Sequence, residues 1–270
     1  MRRGHESVNR ENTPQFLVVG NGRGARRIAY LRRAPKPGTR RPGIVWLGGF
    51  RSDMHSIKAA HLDCYARESG CAYVRFDYSG HGLSEGCFEA GTIGAWLEES
   101  LTAVRALTDG PQILAGSSMG GWLALLAARA LHESGEAERL KGLVLIAPAV
   151  DFTESLIFAR MPPTSRAELA KTGVWLRASA YAPEPYPITR ELIEEGRKHL
   201  LLGGVIRTHC PVHILQGMQD EHVPWRHATE LAEHLFADPV SLTLVKDGDH
   251  RLSREEDLTR LSAAVDTIGS

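Results

Sequence analysis

The chain has 270 residues, of which 43% are hydrophobic, and its 32 basic residues balance 32 acidic ones to a formal net charge of zero with histidine neutral. The hydrophobic content is enough for a buried core and too high for a disordered protein. A neutral chain lacks the strongly basic surface that binding to nucleic acid or to anionic membranes usually requires, so we expect neither kind of partner.

The N-terminal segment is typical of a leader followed by a β-hairpin. Residues 1–14 are polar and end at a proline, which indicates a loose leader. Short apolar or alternating runs at 15–20 and 27–33 flank a glycine-rich stretch and predict two paired strands. The glycines have the spacing G-x-G-x-G, and no helical pattern follows them, so we do not interpret them as a dinucleotide-binding motif.

Features that report on the compartment favour the cytoplasm. The four cysteines are dispersed and form no C-x-x-C pair, which favours free thiols in a reducing compartment. No apolar stretch follows the N-terminal arginines, so we expect no secretory signal, and Glu6 and Glu11 count against a mitochondrial transit peptide. No run approaches the roughly 18 apolar residues of a membrane span, so we expect no stable membrane insertion. The sequence therefore predicts a cytoplasmic protein.

From residue 44 onward, strand and helix patterns alternate. The predicted strands lie at 44–47, 72–76, 112–115, 143–147, 212–216 and 242–245. The predicted helices lie at 55–68, 93–107, 118–132, near 227–236 and from 254. Ser253 and Glu256 have the spacing of a capping box for the last helix. Nearly continuous apolar strands that alternate with helices indicate an α/β fold, with a mostly parallel sheet covered by helices on both faces.

One segment interrupts this alternation. Residues 152–205 contain helical stretches, five prolines and no convincing strand, so we expect an inserted helical cap. The core would then comprise residues 15–151 and 206–270. Insertions at strand ends often build sites, and this cap is expected to cover the site with apolar and aromatic side chains. The side chains expected to contact substrate are Met161, Trp175, Tyr181 and Trp225.

The sharpest local motif is GSSMG at residues 116–120. It follows a predicted strand and opens a predicted helix, which is the context of a G-x-S-x-G nucleophile elbow. Glycines flank the serine because the turn is too tight for bulky side chains. The turn also places Ser118 at the positive end of a helix, where a developing negative charge is stabilised. We therefore expect Ser118 to be a nucleophile.

A nucleophilic serine needs a base, and the base needs a carboxylate to orient it. In α/β folds that carry such a nucleophile elbow, the catalytic residues occur in the chain order serine, acid, histidine. Asp220 follows the predicted strand at 212–216, and His250 follows the strand at 242–245. We therefore predict Asp220 as the orienting acid and His250 as the general base.

Other acidic residues and one further histidine are alternatives to Asp220 and His250, and all but Asp151 are less suitable. Glu221 would point elsewhere from the same turn, and Asp249 is too close in sequence to reach the imidazole of His250. Asp151 follows another strand and stays open as an alternative acid. Asp77 and His81 precede the nucleophile, against the chain order, so we interpret them as residues that brace a loop.

Two backbone amides are predicted to form the oxyanion hole. One is the amide of Met119, directly after the nucleophile, and the other is the amide of Phe50, after the glycine pair 48–49. The histidines show no H-E-x-x-H or comparable spacing, so we expect no metal site.

These motifs resemble the α/β-hydrolase superfamily over residues 15–268, and within it the mitochondrial acyl-protein thioesterases and acyl-glucuronide esterases. The segments that carry the closer similarity are RFDYSG at 75–80, GPQIL at 110–114, the elbow with GWL at 121–123, GVW at 173–175, VPW at 223–225 and DHR at 249–251. The resemblance implies a Ser118–Asp220–His250 triad and hydrolysis without a cofactor.

The predicted function is a serine hydrolase that cleaves carboxylic esters or thioesters of small to medium acyl groups through an acyl-enzyme, with no cofactor and a small-molecule acyl substrate. Two alternatives stay open. The same triad serves aminopeptidases and amidases, and a member of this fold can also bind a ligand without catalysis.

Overall fold

The computed structural model describes residues 13–178 and 185–270. The strands are β1 (Gln15–Val19), β2 (Arg26–Arg33), β3 (Gly43–Leu47), β4 (Tyr73–Phe76), β5 (Gln112–Ser117), β6 (Leu140–Ile146), β7 (Val174–Arg177), β8 (Tyr186–Thr189), β9 (Val212–Gly217) and β10 (Val240–Val245). The helices are α1 (Ile57–Ser69), α2 (Ile93–Leu107), α3 (Met119–Glu133), α4 (Pro163–Thr172), α5 (Arg190–Gly196), α6 (Trp225–His234) and α7 (Glu255–Gly269).

Eight strands form the central sheet in the order β1-β2-β4-β3-β5-β6-β9-β10. β1 and β2 form the predicted antiparallel hairpin, and β2 also pairs antiparallel with β4. Along the sheet order from β4 through β3, β5, β6 and β9 to β10, all neighbouring strands are parallel. The carboxyl ends of β3, β5, β6, β9 and β10 therefore meet at one edge of the sheet, where α/β proteins bind their ligands.

Helices cover both faces of the sheet because its central strands are apolar on both sides. In β3, Val45 and Leu47 face one core, which also holds the buried faces of α2, α3 and α6. Ile44 and Trp46 face the other core, against α1 and α7. Successive side chains of a strand point to opposite faces of the sheet. A continuously apolar strand therefore requires helices packed on both faces. The predicted fold class is confirmed.

The segment between β6 and β9 contains more than helices. It forms a π-helix (Thr153–Phe158), α4, α5 and also a two-stranded antiparallel sheet of β7 and β8. The sequence did not predict these two strands, because each has only four residues and Pro187 lies within β8. The division into a core and a cap at residues 152 and 205 stays a prediction.

The start of α7 differs in detail from the predicted capping box. The N-cap residue is Arg254, one position after the expected Ser253. The carboxylate of Asp257, in place of Glu256, accepts from the backbone amide and the guanidinium of Arg254. Because Asp257 is buried and Glu256 is exposed, the helix starts where the buried carboxylate can close the cap.

Candidate active site

Ser118 lies at the sharp turn between β5 and α3, where its backbone takes an unusual conformation. Its φ is +55° and its ψ is −117°, which few residues with a side chain adopt. Such strain persists only where the surroundings fix it, and it clusters at functional sites. The Ser118 amide donates to the carbonyl oxygen of Ile146 over 2.8 Å, and the Ser118 carbonyl oxygen accepts from Gly121 and Ala149. These bonds hold the serine at the N-terminus of α3.

The glycines around the turn are required by space. A Cβ atom on Gly116 would collide with the carbonyl oxygen of Gly120, and one on Gly120 would collide with that of Leu47. Gly49, in the loop after β3, faces the serine: a Cβ atom there would lie 3.4 Å from the Cβ of Ser118. The two glycine-rich loops therefore pack closely, while Ser118 itself stays partly exposed.

Asp220 and His250 meet at the ends of β9 and β10. Oδ2 of Asp220 lies 2.7 Å from Nδ1 of His250, and the Asp220 side chain is fully buried. The other carboxylate oxygen, Oδ1, accepts from the backbone amides of His222 and Val223 over 2.9 and 2.8 Å. Nε2 of Gln216 donates to Oδ2 as well. The carboxylate is thus fixed on both sides, and one oxygen is aimed at the imidazole.

The pKa of Asp220 lies below its ordinary value. Burial alone would raise this pKa, because it disfavours the charged form. The hydrogen bond and the charge of His250, with the amides of Val223 and His222, outweigh burial. Asp220 is therefore ionised at neutral pH and can stabilise a positive charge on His250.

A cavity of about 330 Å³ connects Ser118, Met119 and His250, and Phe50 lines it too. The other lining residues are Arg51, Ala149, Phe152, Leu156, Ile157, Arg177, Ala178, Tyr186, His222 and Val223. Within the described residues, Oγ of Ser118 makes no hydrogen bond to His250. Such bonds are often long until substrate binds, so the shared cavity is the relevant observation.

The two amides predicted to form the oxyanion hole are available for a ligand. Within the described part of the chain, the backbone amides of Phe50 and Met119 donate to no protein acceptor. Met119 is the first residue of α3, where an amide has no partner inside its own helix. Arg51, directly after Phe50, has a φ of +60°, so the loop after β3 is strained beside the serine.

The structure places three of the four side chains predicted to contact substrate outside the cavity. Met161 is buried in the core, and Trp175 of β7 packs against that core. Trp225 begins α6, where the guanidinium of Arg226 lies 4.4 Å from its ring centre. None of these three lines the cavity, and Tyr181 lies outside the described residues.

Sequence reasoning missed the apolar side chains that do line the cavity. Phe152 directly precedes the π-helix, and Leu156 and Ile157 lie on it. The centre of the Phe50 ring lies 5.6 Å from the centre of the Phe152 ring and 5.9 Å from that of the Tyr186 ring. The spacing of 152 and 156 was the one signal in the sequence that could have shown a common face.

Sequence reasoning also missed a basic part of the cavity wall. The guanidinium groups of Arg51 and Arg177 lie 5.6 and 6.0 Å from the ring centre of Tyr186. The His222 ring stands edge-on to the His250 ring, with 5.4 Å between centres. Burial, followed by the charges of His250 and Arg177, lowers the pKa of His222. Among the described residues no aspartate or glutamate lines the cavity.

The remaining candidate acids make structural contacts. Asp151 accepts from the backbone amides of Leu201 and Leu202, so it ties the end of β6 to the segment before β9. Asp77 likewise accepts from two loop amides. His81 accepts at Nε2 from the amide of Arg51. These residues brace loops around the cavity.

The described residues contain neither a metal-binding cluster nor a membrane-spanning helix. Among residues 13–178 and 185–270, no cluster of three or more histidine, cysteine or acidic side chains could hold a metal ion. No helix in the same ranges has the length and apolar character to cross a bilayer.

The fold and this site define an α/β hydrolase. Residues 37–264 match the Alpha/beta hydrolase family, and the chain belongs to that family. It is 35% identical over 266 residues to the palmitoyl-protein thioesterase ABHD10, mitochondrial, of Bos taurus, which covers 96% of this chain and 84% of the relative. The human protein of the same name is 36% identical over 228 residues, 84% of this chain and 72% of the relative.

Solved structures agree with this assignment. A putative hydrolase from Agrobacterium vitis S4 superposes with a TM-score of 0.92 at 48% identity, covering 96% of this chain and 99% of the other. The mouse alpha/beta hydrolase domain-containing protein 10 superposes with a TM-score of 0.82 at 34% identity, covering 95% and 98%. The resemblance found in the sequence is thereby confirmed.

The predicted cytoplasmic location is contradicted by these comparisons. The curated relatives with which the chain aligns are named as mitochondrial proteins, and this finding overturns the cytoplasmic prediction. The prediction rested on dispersed cysteines and on two glutamates near the N-terminus. Dispersed cysteines indicate only a reducing environment, and two acidic residues are a weak argument against a targeting segment.

Proposed function

We propose that the chain hydrolyses its substrate through an acyl-enzyme on Ser118. His250 is the general base, and Asp220 orients its imidazole. The observation that carries the proposal is the 2.7 Å hydrogen bond between buried Asp220 and His250, at the wall of a cavity that Ser118 also lines. The chain order of the three residues is that of the α/β hydrolases.

The reaction class follows from the family and from its named members. The chain is a cofactor-independent hydrolase of esters or thioesters, because it belongs to the α/β hydrolase family and aligns over most of its length with palmitoyl-protein thioesterases. A thioester and an ester present the same acyl carbonyl to a serine. We therefore propose the same mechanism for esters and for thioesters.

The mechanism has two half-reactions. Oγ of Ser118 attacks the acyl carbonyl while His250 takes the proton of this hydroxyl. The amides of Phe50 and Met119 hold the resulting oxyanion. His250 then gives this proton to the leaving alcohol or thiol, which departs and leaves the acyl group on Ser118. In the second half, His250 activates a water that releases the acid and restores the serine. Asp220 stabilises the charged imidazole in both halves.

The apolar wall is proposed to hold the acyl chain. Phe152, Leu156 and Ile157 offer hydrocarbon surface beside Ser118. We expect kcat/KM for p-nitrophenyl esters to rise from acetyl to longer chains, by up to roughly fourfold per methylene, because burial of each contributes up to ~0.8 kcal/mol. The rise should end when the chain fills the cavity. A flat profile from acetyl to palmitoyl would contradict an acyl pocket here.

Labelling and matched substrates test the reaction itself. A fluorophosphonate is expected to modify Ser118 in the folded protein and not in the heat-denatured protein, because only the folded state activates the serine. An ester, a thioester and an anilide with the same acyl group then separate the reactions. Faster turnover of the ester and thioester is expected, whereas preference for the anilide would support an amidase. Absence of both labelling and turnover would contradict the proposed mechanism.

A further inference from the structure

The turn that carries His250 is held by contacts from two directions. It spans residues 249–252, after β10. The backbone amides of Arg251 and Leu252 within this turn both donate to Oδ1 of Asp249, over 3.0 Å. Leu252 has a φ of +42°, a conformation that is unfavourable for a leucine. A strained turn of this kind persists only where several contacts fix it.

A second contact reaches a backbone carbonyl oxygen of the turn and comes from a lysine on a different element. Nζ of Lys58, in the first turn of α1, donates to the backbone carbonyl oxygen of Arg251, the residue next to His250. Lys58 thereby connects a helix on one face of the sheet to the loop that bears the general base. A cation in the first turn of a helix opposes the helix dipole, so helix stability does not account for this lysine.

The surroundings of Lys58 restrict where its amine can lie. Its side chain lines a narrow gap outside the catalytic cavity, between α1, α7 and the ends of β9 and β10. The other residues that line this gap are Ile146, Leu215, Val245, Leu252, Asp257, Arg260 and Leu261. Burial lowers the pKa of Lys58 to about 8, and the charges of Asp249 and Asp257 counteract burial in part. Most of the residues that line the gap are apolar, and the acceptor to which the amine donates there is the carbonyl oxygen of Arg251.

We propose that Lys58 is a positioning residue for the general base: by holding the carbonyl oxygen of Arg251, it fixes the imidazole of His250 between Asp220 and Ser118. This inference rests on the proposed function. Lys58 is not among the residues that line the catalytic cavity, so it acts through His250 and not on substrate. A small displacement of a general base slows proton transfer and leaves substrate binding largely intact, because the acyl chain is held elsewhere.

The test uses Lys58→Met and Lys58→Arg, with p-nitrophenyl butyrate as substrate. Lys58→Met removes the donor, and we expect kcat to fall on the order of 10-fold or more while KM stays within about twofold. Fluorophosphonate labelling of Ser118 should slow in parallel, since it also needs His250. Lys58→Arg keeps a donor and is expected to recover most of the lost kcat. Lys141→Met is the matched control, because Lys141 also donates to a backbone carbonyl oxygen, that of Ser270, far from the site.

The outcomes separate this inference from the proposed function. If the Lys58→Met protein does not fold, Lys58→Gln replaces it, because a polar side chain too short to reach Arg251 should show the same loss of kcat. Wild-type kcat and labelling rate in the folded variants would overturn the positioning role. So would a change confined to the thermal midpoint or to KM, or an equal loss in Lys141→Met. If the wild-type protein itself neither turns over nor labels, the proposed function fails as well.

Discussion

Ser118→Ala is expected to lower kcat for p-nitrophenyl butyrate on the order of 10³-fold or more, equivalent to roughly 4 kcal/mol of transition-state stabilisation. Alanine removes the oxygen on which the proposed acyl-enzyme forms and leaves the amides of Phe50 and Met119 in place. A small residual rate over uncatalysed hydrolysis should remain, because the proposed oxyanion hole and the cavity would still act on the substrate. Steady-state kinetics on the purified variant, with its folding checked by thermal unfolding, measure the loss.

The adjacent serine provides the matched control for this experiment. Ser117 belongs to the same GSSMG motif, ends β5 and does not line the cavity. Ser117→Ala should therefore keep kcat within a few-fold of wild type. Activity near the wild-type level in Ser118→Ala would exclude Ser118 as the nucleophile. A loss in Ser117→Ala as large as that in Ser118→Ala, with both proteins folded, would show that the turn is sensitive as a whole and would leave the nucleophile unassigned.

The loops that bear Ser118, Asp220 and His250 could be predicted from the sequence because each follows a short, apolar strand. In a parallel sheet the carboxyl ends of neighbouring strands meet at one edge, so strand prediction alone brings these loops together. The hydrogen bond between Asp220 and His250 agrees with that expectation. Local patterns were sufficient here, since each loop is attached directly to an element with a clear signal.

The lining of the cavity could not be predicted in the same way. Trp175 and Met161 were expected there because they are large and apolar, but such residues equally join an insertion to the core, and the structure places both against that core. The residues that do face the cavity, such as Arg177 and Tyr186, lie on strands of four residues with a weak sequence signal. Which face of so short a strand meets the site is decided by tertiary packing.

Asp220→Asn tests a different part of the site and is expected to lower kcat at neutral pH by on the order of 10³- to 10⁴-fold. Oδ1 of Asp220 accepts from the amides of His222 and Val223, so an asparagine must place its carbonyl oxygen there. Its NH₂ group then faces Nδ1 of His250, where Oδ2 lies in the wild-type protein. Nδ1 would have to accept, which moves the imidazole proton to Nε2, and a histidine protonated at Nε2 cannot take a proton from Ser118.

The pH dependence of this variant provides the sharper measurement. The pKa of Asp220 is depressed, so its charge, and the stability that the charge contributes, are present above the ordinary carboxylate pKa and are lost only as the pH falls through the depressed value. Between pH 6 and 9 the wild-type aspartate therefore does not titrate, and the loss in Asp220→Asn should persist across that range. Asp247→Asn is the matched control, because Asp247 is exposed, lies three residues before His250 and pairs with Arg254. A wild-type rate in Asp220→Asn would exclude Asp220 as the acid that orients His250. Equal losses in both variants would indicate a general effect of charge on this edge of the sheet.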